Sequence, residues 1–383
     1  MPAWFSGLVA GVDEPLRPPF LKIKPPTGES PAGGFLIYKI QYNSEMRNVF
    51  IIVVLLLAVA LIIFSLTELK NISETLAHSD WRFLVVAFVF ECLWIYNIAV
   101  DYSLLYKLVG LKESKKRMLL VSSAATFVNV VTPTAGIGGM AVFLDDAKRR
   151  NLSSGRVTVV GALFVLFDYI AFLFVLALGW VVLIRRNNLN AGEITASLIL
   201  LGLAIFFAVL IYLGYRSAQA LGNALAWLAR GINRVLRPFI HREYLSQARA
   251  HKFAAEMAEG LSALQGKKRN LVWPFLFALN SKALLICVLA FSFLAFKTPF
   301  TVGTLVGGFS IGYLFLIVSP TPSGVGVVEG AMSVALNTLR VRVDAAVLIT
   351  IVYRFITFWF PLAVGGVSFR MIQGKTNKPA GGD

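Results

Sequence analysis

The chain has 383 residues, of which 57% are hydrophobic and only 15% are charged. Soluble domains average about 45–50% apolar and about 25% charged residues, and the apolar excess here lies in blocks of about 20 residues. This composition excludes a soluble globular enzyme, a disordered chain and a fibrous repeat. It predicts an all-α, polytopic integral membrane protein with about six to eight transmembrane helices.

The net charge of +16, from 36 Lys and Arg residues against 20 Asp and Glu residues, fits the same class. In a soluble protein it would suggest nucleic acid, but in a membrane protein basic residues collect at the cytoplasmic ends of spans. We therefore expect no nucleic-acid partner. Cys92 and Cys287 lie in apolar blocks and the 3 histidines are scattered, so neither a disulfide, nor a metal site, nor a cofactor is expected.

The N-terminal segment differs from the rest of the chain. Residues 1–46 are rich in proline and have no basic segment followed by an apolar core, which predicts a disordered cytoplasmic tail rather than a signal peptide. Residues 47–215 form the first predicted membrane half. Its continuous spans are predicted at about 48–67, 83–106, 157–184 and 195–215.

A basic connector and a second membrane half complete the chain. Residues 216–270 are strongly basic and are predicted to form cytoplasmic or interfacial helices. The amphipathic pattern of 221–239 favours a helix on anionic lipid, and a solvated connector is the alternative. The second half covers 271–370, with spans at about 271–296 and 345–368, and a short tail at 371–383.

Charge also predicts the orientation of the spans. Segments 107–117 and 145–156 are basic and should be cytoplasmic, whereas loop 68–82 carries more acids than bases and should lie outside. Both flanks of the apolar block 118–144 would then be cytoplasmic. A re-entrant hairpin that turns at 132–139 satisfies this condition, and an ordinary span with a proline kink is the alternative.

A second apolar block, 302–339, is interrupted by proline and glycine at 319–326. A hairpin that enters from the outside would let the last span return the C-terminus to the cytoplasm. It would also leave Arg340 and Arg342 outside, against the charge rule. The sequence thus predicts two Pro/Gly-broken re-entrant segments.

The two interrupted blocks resemble each other. In each, Pro-Thr and then glycines precede a span that holds one charge, Asp168 in the first case and Arg354 in the second. Because the hairpins enter from opposite sides, the repeat is inverted, which is a transporter architecture. The glycines permit turns and close helix approach, either for packing alone or for contact between backbone and substrate. The matching residues are Pro133, Gly136 and Gly138 in one block and Pro320, Gly324 and Gly326 in the other.

The run Pro-Ser-Gly-Val-Gly-Val-Val-Glu-Gly at 322–330 resembles the Pro-Gly-Gly-hydrophobic-Gly-hydrophobic-hydrophobic-Glu motif of the lysylphosphatidylglycerol synthase transmembrane-region family. Segment 133–139, the basic stretch after it and the span with Asp168 resemble that family's earlier motif, and the resemblance covers about residues 48–370. It implies a flippase-like membrane module. It also implies a stand-alone member, without the soluble transferase domain of the lipid-aminoacylating members.

Several ionisable residues lie inside apolar segments, where each costs about 2.5–3.5 kcal/mol on insertion scales if it faces lipid. They must face inward, pair or line water, which predicts a polar intramembrane cavity. Arg354 and Lys282 would attract an anionic headgroup, and Glu329 and Asp168 would balance them when the site is empty. Buried ion pairs that only fix helix packing are the alternative. The residues concerned are Glu91, Asp101, Asp168, Lys282, Glu329 and Arg354.

The sequence therefore predicts a lipid flippase or transporter rather than an enzyme, in the cell membrane, acting on a lipid with an anionic or glycosylated headgroup. No P-loop motif is present, so movement would be uncoupled or ion-driven. The alternatives are a lipid-modifying membrane transferase and a structural or regulatory subunit. The helix N-termini after the two prolines would add N–H donors to the site. The predicted binding set is Arg354, Lys282, Glu329, Asp168, Pro133, Gly136, Gly138, Pro320, Gly324 and Gly326.

Overall fold

The computed structural model describes residues 79–132, 138–185, 191–236, 247–264, 266, 268–319 and 321–374. Every regular element in this part of the chain is helical, which confirms the all-α class. The predicted tail at 1–46 and the first predicted span at 48–67 lie outside the described residues.

The helices follow the predicted elements closely. Side-chain caps mark two of the starts, where Asp80 accepts a hydrogen bond from the Arg82 amide and Ser114 accepts one from the Arg117 amide. A π-helical turn, Phe355–Trp359, joins the last two helices without a break. The α-helices are α1 (Trp81–Leu108), α2 (Lys115–Val131), α3 (Met140–Arg149), α4 (Ser154–Arg185), α5 (Ala191–Arg216), α6 (Ala218–Leu236), α7 (Gln247–Ser262), α8 (Val272–Ala295), α9 (Val302–Val318), α10 (Val327–Thr338), α11 (Val343–Arg354) and α12 (Phe360–Gly374), with 3₁₀ turns at Lys268–Leu271 and Pro322–Gly324.

Five stretches of the described chain are long and apolar enough to cross a membrane. They coincide with five of the predicted continuous spans, and many of their outward side chains are large and apolar, as a lipid-facing surface requires. The polytopic membrane prediction is thereby confirmed. The stretches are Trp81–Leu108, Ser154–Ile184, Ile194–Arg216, Arg269–Ala295 and Val343–Ile372.

The first interrupted block forms a helical hairpin from α2 and α3. Ion pairs join its two flanks, because Arg117 pairs with Asp146 and Glu113 pairs with Arg150. Near the turn, the Gly139 amide donates a hydrogen bond to the side-chain oxygen of Asn129, at 2.5 Å. Both ends of the block therefore lie at the same end of the helix bundle. Insertion of the turn into a bilayer remains a prediction.

The second interrupted block forms a hairpin from α9 and α10. Gly312 allows α10 to come close, since a Cβ there would lie 2.9 Å from the sulfur of Met332. The start of α9 lies against the end of α4, where Gly303 faces Val182. The first hairpin opens beside the beginning of α4, at the ion pair of Arg150. The two hairpins thus open at opposite ends of the bundle, as an inverted repeat requires.

The basic segments collect at one end of the bundle. Arg156, at the beginning of α4, lies 3.6 Å from Glu259 of α7. At the same end, Ile372 of α12 belongs to one buried apolar cluster with Leu111 and Met118. The described parts of 107–117, 145–156 and 216–270 are therefore neighbours, as a common cytoplasmic location would require, although the side of the membrane itself stays a prediction.

Candidate functional site

A cavity of about 200 Å³ lies in the interior, between the tips of the two hairpins. Thr132 lines it at the end of α2, and the break between α9 and α10 lines it opposite. Helices α1, α2 and α4 of the first half and α8 to α11 of the second all contribute to the wall. Its polar side chains include Ser122, Thr126, Asn129, Asp168, Ser281, Tyr313, Ser319, Thr321, Ser323, Arg354 and Thr357.

The predicted pair of Arg354 and Glu329 is brought together beside the cavity, which Arg354 lines. Nε of Arg354 donates a hydrogen bond to one Glu329 oxygen at 2.7 Å, and the other oxygen accepts the Gly326 amide at 2.7 Å. The carboxylate therefore connects α11 to the first turn of α10. Arg354 is only 6% exposed and lines the cavity.

The backbone of the second break is held by the same guanidinium. Ser323 adopts a left-handed conformation with φ 45°, which is rare for a residue other than glycine. Its carbonyl oxygen accepts a hydrogen bond from Nη2 of Arg354 at 2.8 Å. Gly324 and Gly326 follow at φ 70° and φ 81°, where glycine has no Cβ penalty. These two predicted glycines thus make the turn that places Glu329 beside Arg354.

The π-helical turn begins directly after Arg354. Such a turn inserts one residue into the helix and is frequent at functional sites. It places the Phe358 ring 5.1 Å from the guanidinium carbon, within the range of a cation–π interaction. Arg354 is thus fixed by a carboxylate, a carbonyl and an aromatic face.

Asp168 and Lys282 form the second predicted pair. Nζ of Lys282 lies 2.5 Å from Asp168 Oδ1 and 2.5 Å from the hydroxyl oxygen of Tyr313, which donates in turn to Asp168 Oδ2 at 3.2 Å. Asp168 and Tyr313 belong to the cavity wall, whereas Lys282 is fully buried. Among the described lining residues, Arg354 and not Lys282 is therefore the cation that the cavity presents directly.

The remaining predicted site residues belong to the first break, at 132–139, or to the second break, at 319–326. Gly138 precedes α3, and its carbonyl accepts the Ala141 amide at 3.1 Å. Pro133, Gly136 and Pro320 lie outside the described residues. The predicted contribution of helix N-termini at these two breaks remains a prediction.

A polar stripe on α2 was not among the predicted site residues. Ser122, Thr126 and Asn129 all line the cavity and recur at i, i+4 and i+7, the spacing of one helix face. That periodicity was available in the sequence and would have identified the face. Also missed was Trp94, whose indole N–H donates to Ser281 at 2.8 Å between α1 and α8.

Residues 49–365 match the family described as "Lysylphosphatidylglycerol synthase TM region", which confirms the resemblance seen in the motif at 322–330. The chain belongs to that family. It is 22% identical over 337 residues to a UPF0104 membrane protein of Pyrococcus horikoshii, covering 83% of this chain and 95% of the relative. It is likewise 22% identical over 302 residues to a UPF0104 membrane protein of Methanothermobacter thermautotrophicus, covering 77% of this chain and 87% of that relative.

Proposed function

We propose that this protein is a flippase-like transporter that moves the headgroup of an anionic or glycosylated lipid through the central cavity. The observation that supports this most strongly is Arg354, a buried cation in a cavity wall within a membrane-spanning segment. A buried charge of this kind is expensive and usually marks a substrate path or a relay. The family membership supports the same class of function.

Arg354 has the chemistry to exchange one anion for another. Two of its N–H groups are engaged, one by Glu329 and one by the Ser323 carbonyl, out of the five that a guanidinium carries. A phosphate can accept two parallel hydrogen bonds from a guanidinium. An anionic headgroup would thus compete with Glu329, which keeps its second bond to the Gly326 amide.

The rest of the wall suits the polar part of a headgroup. The α2 stripe and the hydroxyls of the second break present polar atoms to the cavity. The hydroxyls of Ser122, Thr126 and Thr321 donate to backbone carbonyls and offer their oxygens as acceptors. The wall also contains apolar and aromatic side chains such as Trp94, Phe164 and Phe358. A site of this kind binds hydroxylated or glycosylated groups through hydrogen bonds and through stacking on aromatic faces.

The arrangement of the hairpins supports alternating access. Their tips meet at the cavity, and their open ends lie at opposite ends of the bundle. Rocking of one half against the other would open the cavity to each side in turn. The basic end, as the cytoplasmic end, would attract anionic lipid of the inner leaflet of the cell membrane.

The test uses the full chain in liposomes with a panel of headgroup-labelled lipids, and measures how fast label becomes accessible from outside. We expect protein-dependent movement of anionic lipid, a loss of at least tenfold in Arg354→Gln, and partial recovery in Arg354→Lys, because an ammonium lacks the planar fork. Arg342→Gln is the matched control, since Arg342 is exposed at the other end of α11. Equal rates in wild type and Arg354→Gln would contradict the proposal.

A further inference from the structure

The described membrane interior contains a carboxyl group that neither ion pair uses. Asp101 of α1 is only 2% exposed, and its Oδ1 has no hydrogen-bond partner within the described residues. Tyr102, the next residue of α1, stacks on Phe164 of α4 with ring centroids 4.1 Å apart, one helical turn before Asp168. The carboxylate of Asp168 acts on Asp101 with a charge of the same sign. An ionised Asp101 would thus be a buried anion that faces another anion.

Within the described part of the chain, the helices packed on α1 show no cation paired with Asp101. Lys282 of α8 is bonded to Asp168 and to Tyr313. In α2 the ionisable side chains all lie in the first turn, where Arg117 is paired with Asp146. The π-helical turn that also packs on α1 has none. Asp168 on α4 and Tyr102 on α1 interact with Asp101 directly, and Lys282 on α8 and Tyr313 on α9 are bonded to Asp168.

We propose that Asp101 and Asp168 form a proton-binding site, with Asp168 in the wall of the central cavity and Asp101 buried in α1. The ionised carboxylates of Asp101 and Asp168 and the ammonium of Lys282 together carry a net charge of about −1, which is costly in a buried cluster. One bound proton makes the cluster neutral. Asp168 and Tyr102, the sequence neighbour of Asp101, both line the cavity. Water in the cavity can therefore deliver and remove the proton.

Proton binding at this site would change what the cavity attracts. The bound proton removes the excess negative charge of Asp101, Asp168 and Lys282, so the wall that Asp168 lines becomes less negative. An anionic headgroup would enter this protonated form more readily. Proton and anionic lipid would therefore move in the same direction. This coupling rests on the proposed function, whereas proton binding itself does not.

Proton binding is tested without lipid transport by infrared difference spectra between acid and alkaline pH, on the full chain in phosphatidylcholine vesicles. We expect a protonated-carboxyl band, shifted by deuterium exchange, that is lost in Asp101→Asn and kept in Glu91→Gln. Glu91 is the matched control because it is also buried on α1, with both oxygens lacking a described partner. A pH-dependent band unchanged in a folded Asp101→Asn would overturn the site. If Asp101→Asn fails to fold, Asp101→Glu should instead move the band in frequency, and an unmoved band would overturn the site equally.

Coupling is tested in the same vesicles with an imposed pH gradient and a labelled anionic lipid. With one proton per lipid, one pH unit should enrich the lipid up to about tenfold in the leaflet that faces the alkaline compartment. Reversing the gradient should reverse the enrichment, and Asp101→Asn should show none. Lipid movement by the wild type that ignores the gradient would overturn the coupling and leave the flippase proposal standing. A carboxyl band without any lipid movement would contradict the flippase proposal and leave the proton site standing.

Discussion

At the scale of single residues, Glu329 links Arg354 to the backbone because its carboxylate accepts two hydrogen bonds. Both partners donate an N–H group, one from Arg354 and one from the backbone of Gly326. A carboxylate matches two donors, because each of its oxygens accepts. The same residue therefore neutralises the buried cation and fixes the start of α10.

Replacing Glu329 by glutamine tests this double role. A glutamine has a single acceptor oxygen, so one donor loses its partner and Arg354 loses its counterion. We expect a loss of about 1.5–3 kcal/mol in the free energy of unfolding, the usual range for a hydrogen bond to a charged group. Denaturant unfolding of the protein in detergent measures it. Asp344→Asn is the control, because its pair with Arg342 is exposed and should contribute little, and equal loss in both variants would count against the double role.

The sequence predicted the ionisable residues of the site well, but predicted their partners only in part. The free-energy cost of an unpaired Arg354 in the membrane indicated that it needs a carboxylate partner. Glu329 was the predicted partner because it lies in the same repeat, just after the helix break. The position of Lys282 behind Asp168 depends on how α8 packs against α4 and α9, which no local pattern encodes. The left-handed Ser323 was equally hidden, because nothing in a serine signals positive φ.

At the scale of helices, α12 lies very close to α2, and this contact positions the polar stripe that faces the cavity. Gly365 makes the approach possible, since a Cβ at that position would lie 2.5 Å from the Ser123 carbonyl oxygen and 2.7 Å from Cβ of Phe127. The backbone cannot yield to such a contact without moving the helices apart.

Gly365→Ala should therefore destabilise the protein by about 1–3 kcal/mol, the range for overpacking a filled interface. Gly366→Ala is the matched control, because its nearest neighbour is the edge of the Phe127 ring at 3.5 Å, which is ordinary contact. Thermal unfolding followed by tryptophan fluorescence compares the two. If both variants melt with the wild type, the α2–α12 contact is looser than described.

Helix positions were the most predictable part of the fold. Five continuous spans coincide with their apolar blocks because length and hydropathy suffice to define a membrane helix. The hairpin of α2 and α3 was predicted from the basic charge on both flanks, and the ion pairs between those flanks bring them together. The charge pattern does not show which helices pack against each other. The cavity shared by the two hairpins could therefore be located only in the structure.

Water access to the two hairpin tips can be tested directly by cysteine labelling. Single cysteines at Thr132 and at Ser323, in a background without Cys92 and Cys287, should react with a small water-soluble thiol reagent because both positions line the cavity. A cysteine at Leu289, which is fully buried in the apolar core, should not react. Mass spectrometry of the protein in liposomes measures labelling, and unreactive tips would mean that water does not reach the cavity.

At the scale of the whole molecule, helices from both membrane halves line one cavity, and Arg354 is part of its wall. Both hairpin tips, the α2 stripe and the π-helical turn line the same cavity as Arg354, and the described helices leave that cavity rather than a packed core. The competing interpretation is that Arg354 and Glu329 only hold helices together. A buried ion pair can often be replaced by apolar residues at little cost in stability, so the two interpretations separate cleanly.

The decisive measurement is lipid movement in liposomes by the double variant Arg354→Met, Glu329→Met. This variant removes both charges at once and leaves no unpaired charge behind. It also removes the partners of the Gly326 amide and the Ser323 carbonyl, so Glu329→Gln is measured beside it as the control for lost stability. If Arg354 binds the headgroup, movement of anionic lipid by the folded double variant should fall to the level of protein-free vesicles. Movement at the wild-type rate, by a double variant that is expressed and folded, would show that the pair is structural and would contradict the account.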